Sequence, residues 1–126
     1  MRYLLDTTFV IDYLRGEPAA IRRLAQLFAD GDVLMVNEVV VGEAATGAPR
    51  HPDPDLTALL KPMEFVQPPA DAALTAGRWR AEARANGHSL SLADALIAAA
   101  ADVAGAAVLT RNVRDFRLTP VRVEDY

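Results

Sequence analysis

The chain contains no cysteine among its 126 residues, which excludes disulfides and thiolate metal sites and fits a reducing compartment such as the cytoplasm. It has no apolar run of 18 residues and no charged start followed by a long apolar stretch, so neither a membrane span nor a secretory leader is expected. It has almost no lysine: of 13 basic residues only Lys61 is Lys, and the other 12 are Arg. Nor is there an excess of positive charge. The balance is 13 − 17 = −4, so no basic character extends over the chain, and any nucleic-acid contact has to be local. No internal repeat, low-complexity tail or linker interrupts the sequence.

What is present is apolar residue in abundance, 52% of the chain against 24% charged, the proportions of a folded globular protein. The length suits one domain, residues 1–126, with a core of its own. Short apolar strands are predicted at 3–5, 32–36, 63–66 and 106–110, with a short fifth at 121–123. Between them lie helical segments at 8–16, 17–31, 37–47, 55–61, 68–87 and after 88 up to Gly105. Pro18 marks a helix start. Asn37 is a good N-cap, and for that reason 37–47 reads as helix despite its valines. Residues 48–54 form a Pro-punctuated loop. Strands alternating with helices predict an α/β, three-layer α/β/α architecture around a mainly parallel sheet of four to five strands. Sites in such sheets collect at the carboxyl ends of the strands.

That rule draws attention to Asp6, a carboxylate closing the first apolar strand. It is either an N-cap for the following helix or part of a site. Asp12 reads as a residue on the polar face of the first helix. Glu43 follows three valines in "VVVGEAATG". Glu38, at the start of the same helix, suits the macrodipole and has no catalytic role. Asp94 opens the apolar helix "SLADALIAAAA", three residues after Ser91, in the pattern of a capping box. Asp115 is expected in a loop after the fourth strand, in "LTRNVRDF", with Thr110 and Asn112 as polar neighbours and Arg114 as an ion-pair partner. Taken singly, each has an ordinary structural explanation. Together they form an acidic edge of hard oxygen donors suited to Mg²⁺ or Mn²⁺, whose mutual repulsion a cation would relieve.

Four blocks, "YLLDTTFVIDYL", "VNEVVVGEAATG", "SLADALIAAAA" and "VLTRNVRDF", in this order and at this spacing, resemble the PIN-domain ribonucleases, in particular the VapC-type toxins of bacterial toxin–antitoxin modules. The resemblance spans nearly the whole chain. It implies a Mg²⁺- or Mn²⁺-dependent endoribonuclease that cleaves structured RNA, often tRNA, and is neutralised by a cognate VapB-type antitoxin. It also implies a homodimer joined with antitoxin into a hetero-oligomer. Carried onto this chain, it implies metal ligands at Asp6, Glu43 and Asp94, with a fourth in "TRNVRDF". Two positions depart from the pattern: Thr8 where relatives often carry Asn or Ser, and Asn112 where many carry an acid. Asp115 is then expected to supply the fourth charge and Asn112 to orient a water, with Thr8 and Thr110 in support. Arg15, Arg111 and Arg114 are the candidates for gripping an RNA backbone.

Other nucleotide-related folds fit less well. A haloacid-dehalogenase-type phosphatase needs a second Asp where Thr8 stands, together with a suitably placed lysine. A receiver domain needs an early acidic pair and a late lysine. A dinucleotide fold needs a Gly-rich turn that "DTTFVID" lacks. A non-catalytic PIN-like module that binds RNA or a protein is the rival that Asn112 keeps open.

Overall fold

The computed structural model describes all 126 residues. Five strands, β1 (Arg2–Leu5), β2 (Val33–Asn37), β3 (Glu64–Val66), β4 (Ala107–Leu109) and β5 (Val123–Glu124), form one sheet in the order β3-β2-β1-β4-β5. Every pairing is parallel, with Leu4 opposite Met35 on one side and Val108 on the other. The sheet is therefore wholly parallel with five strands, at the upper end of the expectation.

The helices are α1 (Thr7–Leu14), α2 (Pro18–Ala29), α3 (Glu38–Thr46), α4 (Pro54–Leu60), α5 (Ala70–Ala85), α6 (Leu92–Ala104) and a short α7 (Val113–Phe116). The chain steps from β1 to β2 to β3 in one direction and then returns from β3 to β4 on the far side of β1. With right-handed crossovers those connections cover opposite faces of the sheet. The helix α6 packs against β1 and β4, α5 packs on α6, and α1 packs against α2 and α3.

Continuous burial of Tyr3, Leu4, Leu5, Leu34, Met35 and Val36 shows why these segments read as uninterrupted apolar runs: both faces of the central strands are covered. The alanines Ala95 and Ala98 to Ala101 are buried within α6, so small side chains let this helix sit close to the sheet. At the start of α3 the Asn37 side chain accepts from the Val40 amide at 3.1 Å, a cap worth about 1 kcal/mol. With Val40 and Ala44 buried, the cap and the packed face outweigh the strand preference of the valines. The end of α6 turns at Gly105 with φ +64°, a left-handed conformation that a side chain would strain.

The sequence reading is corrected in several places, and the fifth strand lies at Val123–Glu124 instead of 121–123. The segment after β4 is not a plain loop, because 113–116 winds into α7 and Asp115 lies on that turn. The helix read from Asp55 begins at Pro54, with Asp53 at its N-cap position.

The reversal of strand order falls between β1 and β4. In open α/β sheets the crevice beyond the strand ends at such a switch point is where ligands bind. Asp6 follows β1 there and Thr110 follows β4.

Candidate active site

Asp6 occupies the N-cap position of α1, yet its side chain makes no capping bond. It turns sideways instead. Its Oδ2 accepts from the Thr110 hydroxyl at 2.7 Å and from the Thr8 hydroxyl at 2.9 Å. Asp6 is 2% exposed. Burial raises its pKa above the usual carboxylate range, and the bonds from Thr110 and Thr8 oppose that rise. The buried carboxylate is thus held by hydroxyls from both sides of the switch point.

Thr110 is fully buried and serves both sides of the site, since its hydroxyl also accepts from the Asn112 amide N–H at 2.8 Å. Asn112 then donates through Nδ2 to Asp115 Oδ2 at 3.0 Å and to Asp94 Oδ2 at 3.3 Å. The strand end, the following turn and the start of α6 are thereby stitched together by one residue, through its backbone N–H and its side-chain amide.

At the start of α6 the capping is done by Ser91, whose Oγ accepts from the Asp94 N–H at 3.0 Å. The Asp94 carboxylate, which the Ser91 hydroxyl also adjoins, faces Asn112. Burial, followed by the negative charge of Asp6 and, more weakly, of Asp115 and Glu43, pushes its pKa up to about 6. Glu43, on the exposed side of α3, accepts from the Thr7 hydroxyl at 2.6 Å. This bond ties α3 to the first turn of α1.

The four acids named from the sequence therefore collect at the switch point. Asp6, Asp94 and Asp115 are linked through Thr110 and Asn112, and Glu43 adjoins through Thr7. Carboxylate and hydroxyl oxygens suit a hard divalent cation. The repulsion that raises Asp94 is of the kind a cation relieves. No three His, Cys, Asp or Glu side chains converge into a ready-made metal cage, however, and the Asn112 amide bridges two of the acids.

The arginines are distributed differently from expectation. Arg114 makes no ion pair with Asp115 and stands exposed, as does Arg15. Arg111 is bound by Asp12 at 2.7 Å. Asp12 itself is not a free polar-face residue: it is half-buried and also accepts from the Tyr126 hydroxyl. The reason is that its face of α1 turns toward Arg111 in the segment leaving β4 and Tyr126 in the chain after β5. Thr7, Asp12 and Tyr126 were not legible as site neighbours. The only advance sign was that Asp12 follows Thr8 by four residues, one helical turn.

A family model for the PIN domain matches residues 3–121, and the chain belongs to the PIN-domain family. Ribonuclease VapC19 of Mycobacterium tuberculosis is 36% identical over 117 residues, covering 93% of this chain and 94% of that one. The tRNA(fMet)-specific endonuclease VapC of Salmonella typhimurium is 26% identical over 132 residues, covering 100% and 98%. Among solved structures, VapBC2 from Rickettsia felis bound to a promoter DNA fragment superposes with a TM-score of 0.84 at 21% identity, over 99% of this chain and 98% of that one. That likeness confirms the fold. PIN nucleases generally use divalent metals.

Proposed function

We propose that this protein is an endoribonuclease toxin of a toxin–antitoxin pair, hydrolysing phosphodiester bonds of tRNA or another structured RNA and restrained by a VapB-type antitoxin. The observation that carries the reading is the set of carboxylates at the β1/β4 switch point, with Asp94 raised to about 6 by burial and by its acidic neighbours. The relatives support it. Two are named as a ribonuclease and a tRNA-specific endonuclease, and the R. felis neighbour is a VapBC complex. On the same footing the chain is read as a single domain that acts in the cytoplasm and forms a homodimer, joined by antitoxin into a larger assembly. No helix is long and apolar enough to cross a membrane.

Asp6, Asp94, Asp115 and Glu43 are the residues proposed to hold Mg²⁺ or Mn²⁺. When bound, such an ion lowers the pKa of water and stabilises charge developing on a phosphoryl group. The chain's own residues have separate tasks. Thr8 and Thr110 fix the orientation of Asp6. Ser91 caps α6 at the Asp94 N–H. Thr7 holds Glu43, which is placed to orient a water or take its proton. Asn112 keeps Asp94 and Asp115 together in spite of their charge. Arg15 and Arg114 are proposed to offer guanidinium forks to the RNA backbone.

A second reading has a specific observation behind it. The Asn112 amide occupies oxygens of both Asp94 and Asp115, at a position where the family resemblance implies an acid in many members. A PIN-like module that binds RNA or a protein without turnover is consistent with this. Incubating the purified, antitoxin-free protein with total tRNA and Mg²⁺ decides between them. The ribonuclease reading expects discrete fragments that disappear in EDTA. Bound but intact RNA supports the second.

A further inference from the structure

Beyond the acidic cluster, one group of side chains has no role in holding it. The guanidinium of Arg111 lies 2.7 Å from Asp12 Oδ2. The Tyr126 hydroxyl donates to the same oxygen. The Tyr126 ring stands under the guanidinium, with the Arg111 carbon 5.6 Å from the ring centroid. That ring is in turn braced edge-to-face on the fully buried Phe9, with centroids 4.8 Å apart at 83°. Two elements thus hold one cation: α1 through Asp12, and the chain after β5 through Tyr126, whose ring rests on Phe9 of the same α1.

The placement of that cation is specific. Arg111 lies between Thr110, which binds Asp6, and Asn112, which binds Asp94 and Asp115. Its backbone amide donates to the Thr8 hydroxyl at 3.4 Å. Asp12 is one helical turn beyond Thr8 on the same face of α1. The guanidinium therefore stands at the rim of the acidic site. Its side chain is 55% exposed while the Asp12 side chain is only 16% exposed. The partner is sunk into the protein, and the fork still has donors open to solvent.

Exposed ion pairs contribute little because two long side chains must give up their freedom. Here the freedom is removed by a ring, a hydroxyl and a half-buried carboxylate acting together. An acidic chain with an acidic site repels a polyanion, so a cation fixed beside that site has an evident use.

We propose that Asp12 and Tyr126 are positioning residues that hold the Arg111 guanidinium at the rim of the acidic site to receive a phosphate of the RNA backbone. This rests on the ribonuclease reading for its substrate class, and its test does not depend on cleavage.

The probe is a 2′-O-methyl RNA hairpin, which resists hydrolysis, with binding followed by fluorescence anisotropy over a range of salt concentrations. Arg111→Ala is expected to weaken binding across hairpin sequences and to lower the log–log salt slope by about one. Tyr126→Phe keeps the ring and the net charge and removes only the hydroxyl, and it is expected to weaken binding about threefold to tenfold, the scale of one hydrogen bond. Asp12→Asn is also expected to weaken binding, although it removes a negative charge that would otherwise oppose the RNA. In an Arg111→Ala background Tyr126→Phe is expected to have no further effect, and Asp12→Asn to lose its weakening effect and show only the gain from the removed negative charge. Arg111→Lys is expected to retain the salt slope without regaining the full affinity. Thermal melts of each variant establish that the comparison is made on folded protein. Tighter binding by Asp12→Asn and Tyr126→Phe would mean that the pair restrains Arg111, and would overturn the proposal. So would an unchanged slope in Arg111→Ala, or equal effects of Tyr126→Phe in both backgrounds. Cleavage of ordinary tRNA by the unmodified protein, measured alongside, judges the ribonuclease reading separately.

Discussion

The hydroxyl of Thr110 reaches across the switch point to Asp6 Oδ2 at 2.7 Å, joining residues 104 positions apart in the chain. It binds the end of β4 to the end of β1 through the most deeply buried carboxylate of the candidate site. Replacing Thr110 by Val keeps the shape and removes the donor. Leaving a buried charged acceptor short of a partner costs about 1–3 kcal/mol, and the Asp6 pKa should rise further. A lower melting temperature for Thr110→Val, restored by Thr110→Ser, is the expected result.

Capping and chemistry should separate at the start of α6, because different residues serve them. Ser91 accepts from the Asp94 N–H, so Ser91→Ala is expected to cost about 1 kcal/mol of stability and to leave cleavage intact in folded protein. Asp94→Asn should do the reverse, abolishing cleavage while the fold persists. Melts and cleavage rates on the same samples check both.

The pH dependence follows from the direction of the Asp94 shift. Its folded pKa, about 6, lies above that of an unfolded Asp, so the native state binds the proton more tightly. Its stabilising contribution is complete below about pH 4 and is lost as pH rises through about 6. In EDTA the protein should therefore melt higher at pH 5 than at pH 7. Partial exposure of the group screens the effect and keeps it modest. Asp94→Asn should flatten this trend and melt higher than the unmodified protein at pH 7. With Mg²⁺ present, the concentration for half-maximal cleavage should rise as pH falls through the same range.

Asn112 and Asp115 should respond differently to metal. Asp115→Asn removes a charge and is expected to raise the Mg²⁺ needed for half-maximal cleavage much more than Asn112→Ala. Asn112→Asp replaces a donor that bridges two carboxylates with another carboxylate. It should lower the Mg²⁺ requirement and also lower the melting temperature in EDTA, because repulsion among the acids rises. If Asp115→Asn titrates like the unmodified protein, Asp115 is no ligand.

Much of this was legible in the chain itself. The strands announced themselves because burial on both faces leaves uninterrupted apolar runs, and Asn37 announced α3 through its capping chemistry. Asp6, Asp94 and Thr110 could be placed at one edge because strand ends and helix starts meet there in a parallel sheet. The short α7 left no trace, since four residues carry no periodicity. The contact of the Asp94 carboxylate with Asn112 depended on the turn after β4, which the Ser91 pattern does not reveal. The bond from Thr7 to Glu43 and the meeting of Asp12 with Arg111 and Tyr126 are long-range contacts, and nothing local in the sequence encodes them.

Titration calorimetry with Mn²⁺ tests the central claim, that these carboxylates hold a divalent cation, most directly. The unmodified protein is expected to show saturable binding at pH 7.5 that is lost in Asp94→Asn protein with an intact melting transition. Binding heats identical in the two proteins, or none in the unmodified protein, would contradict it.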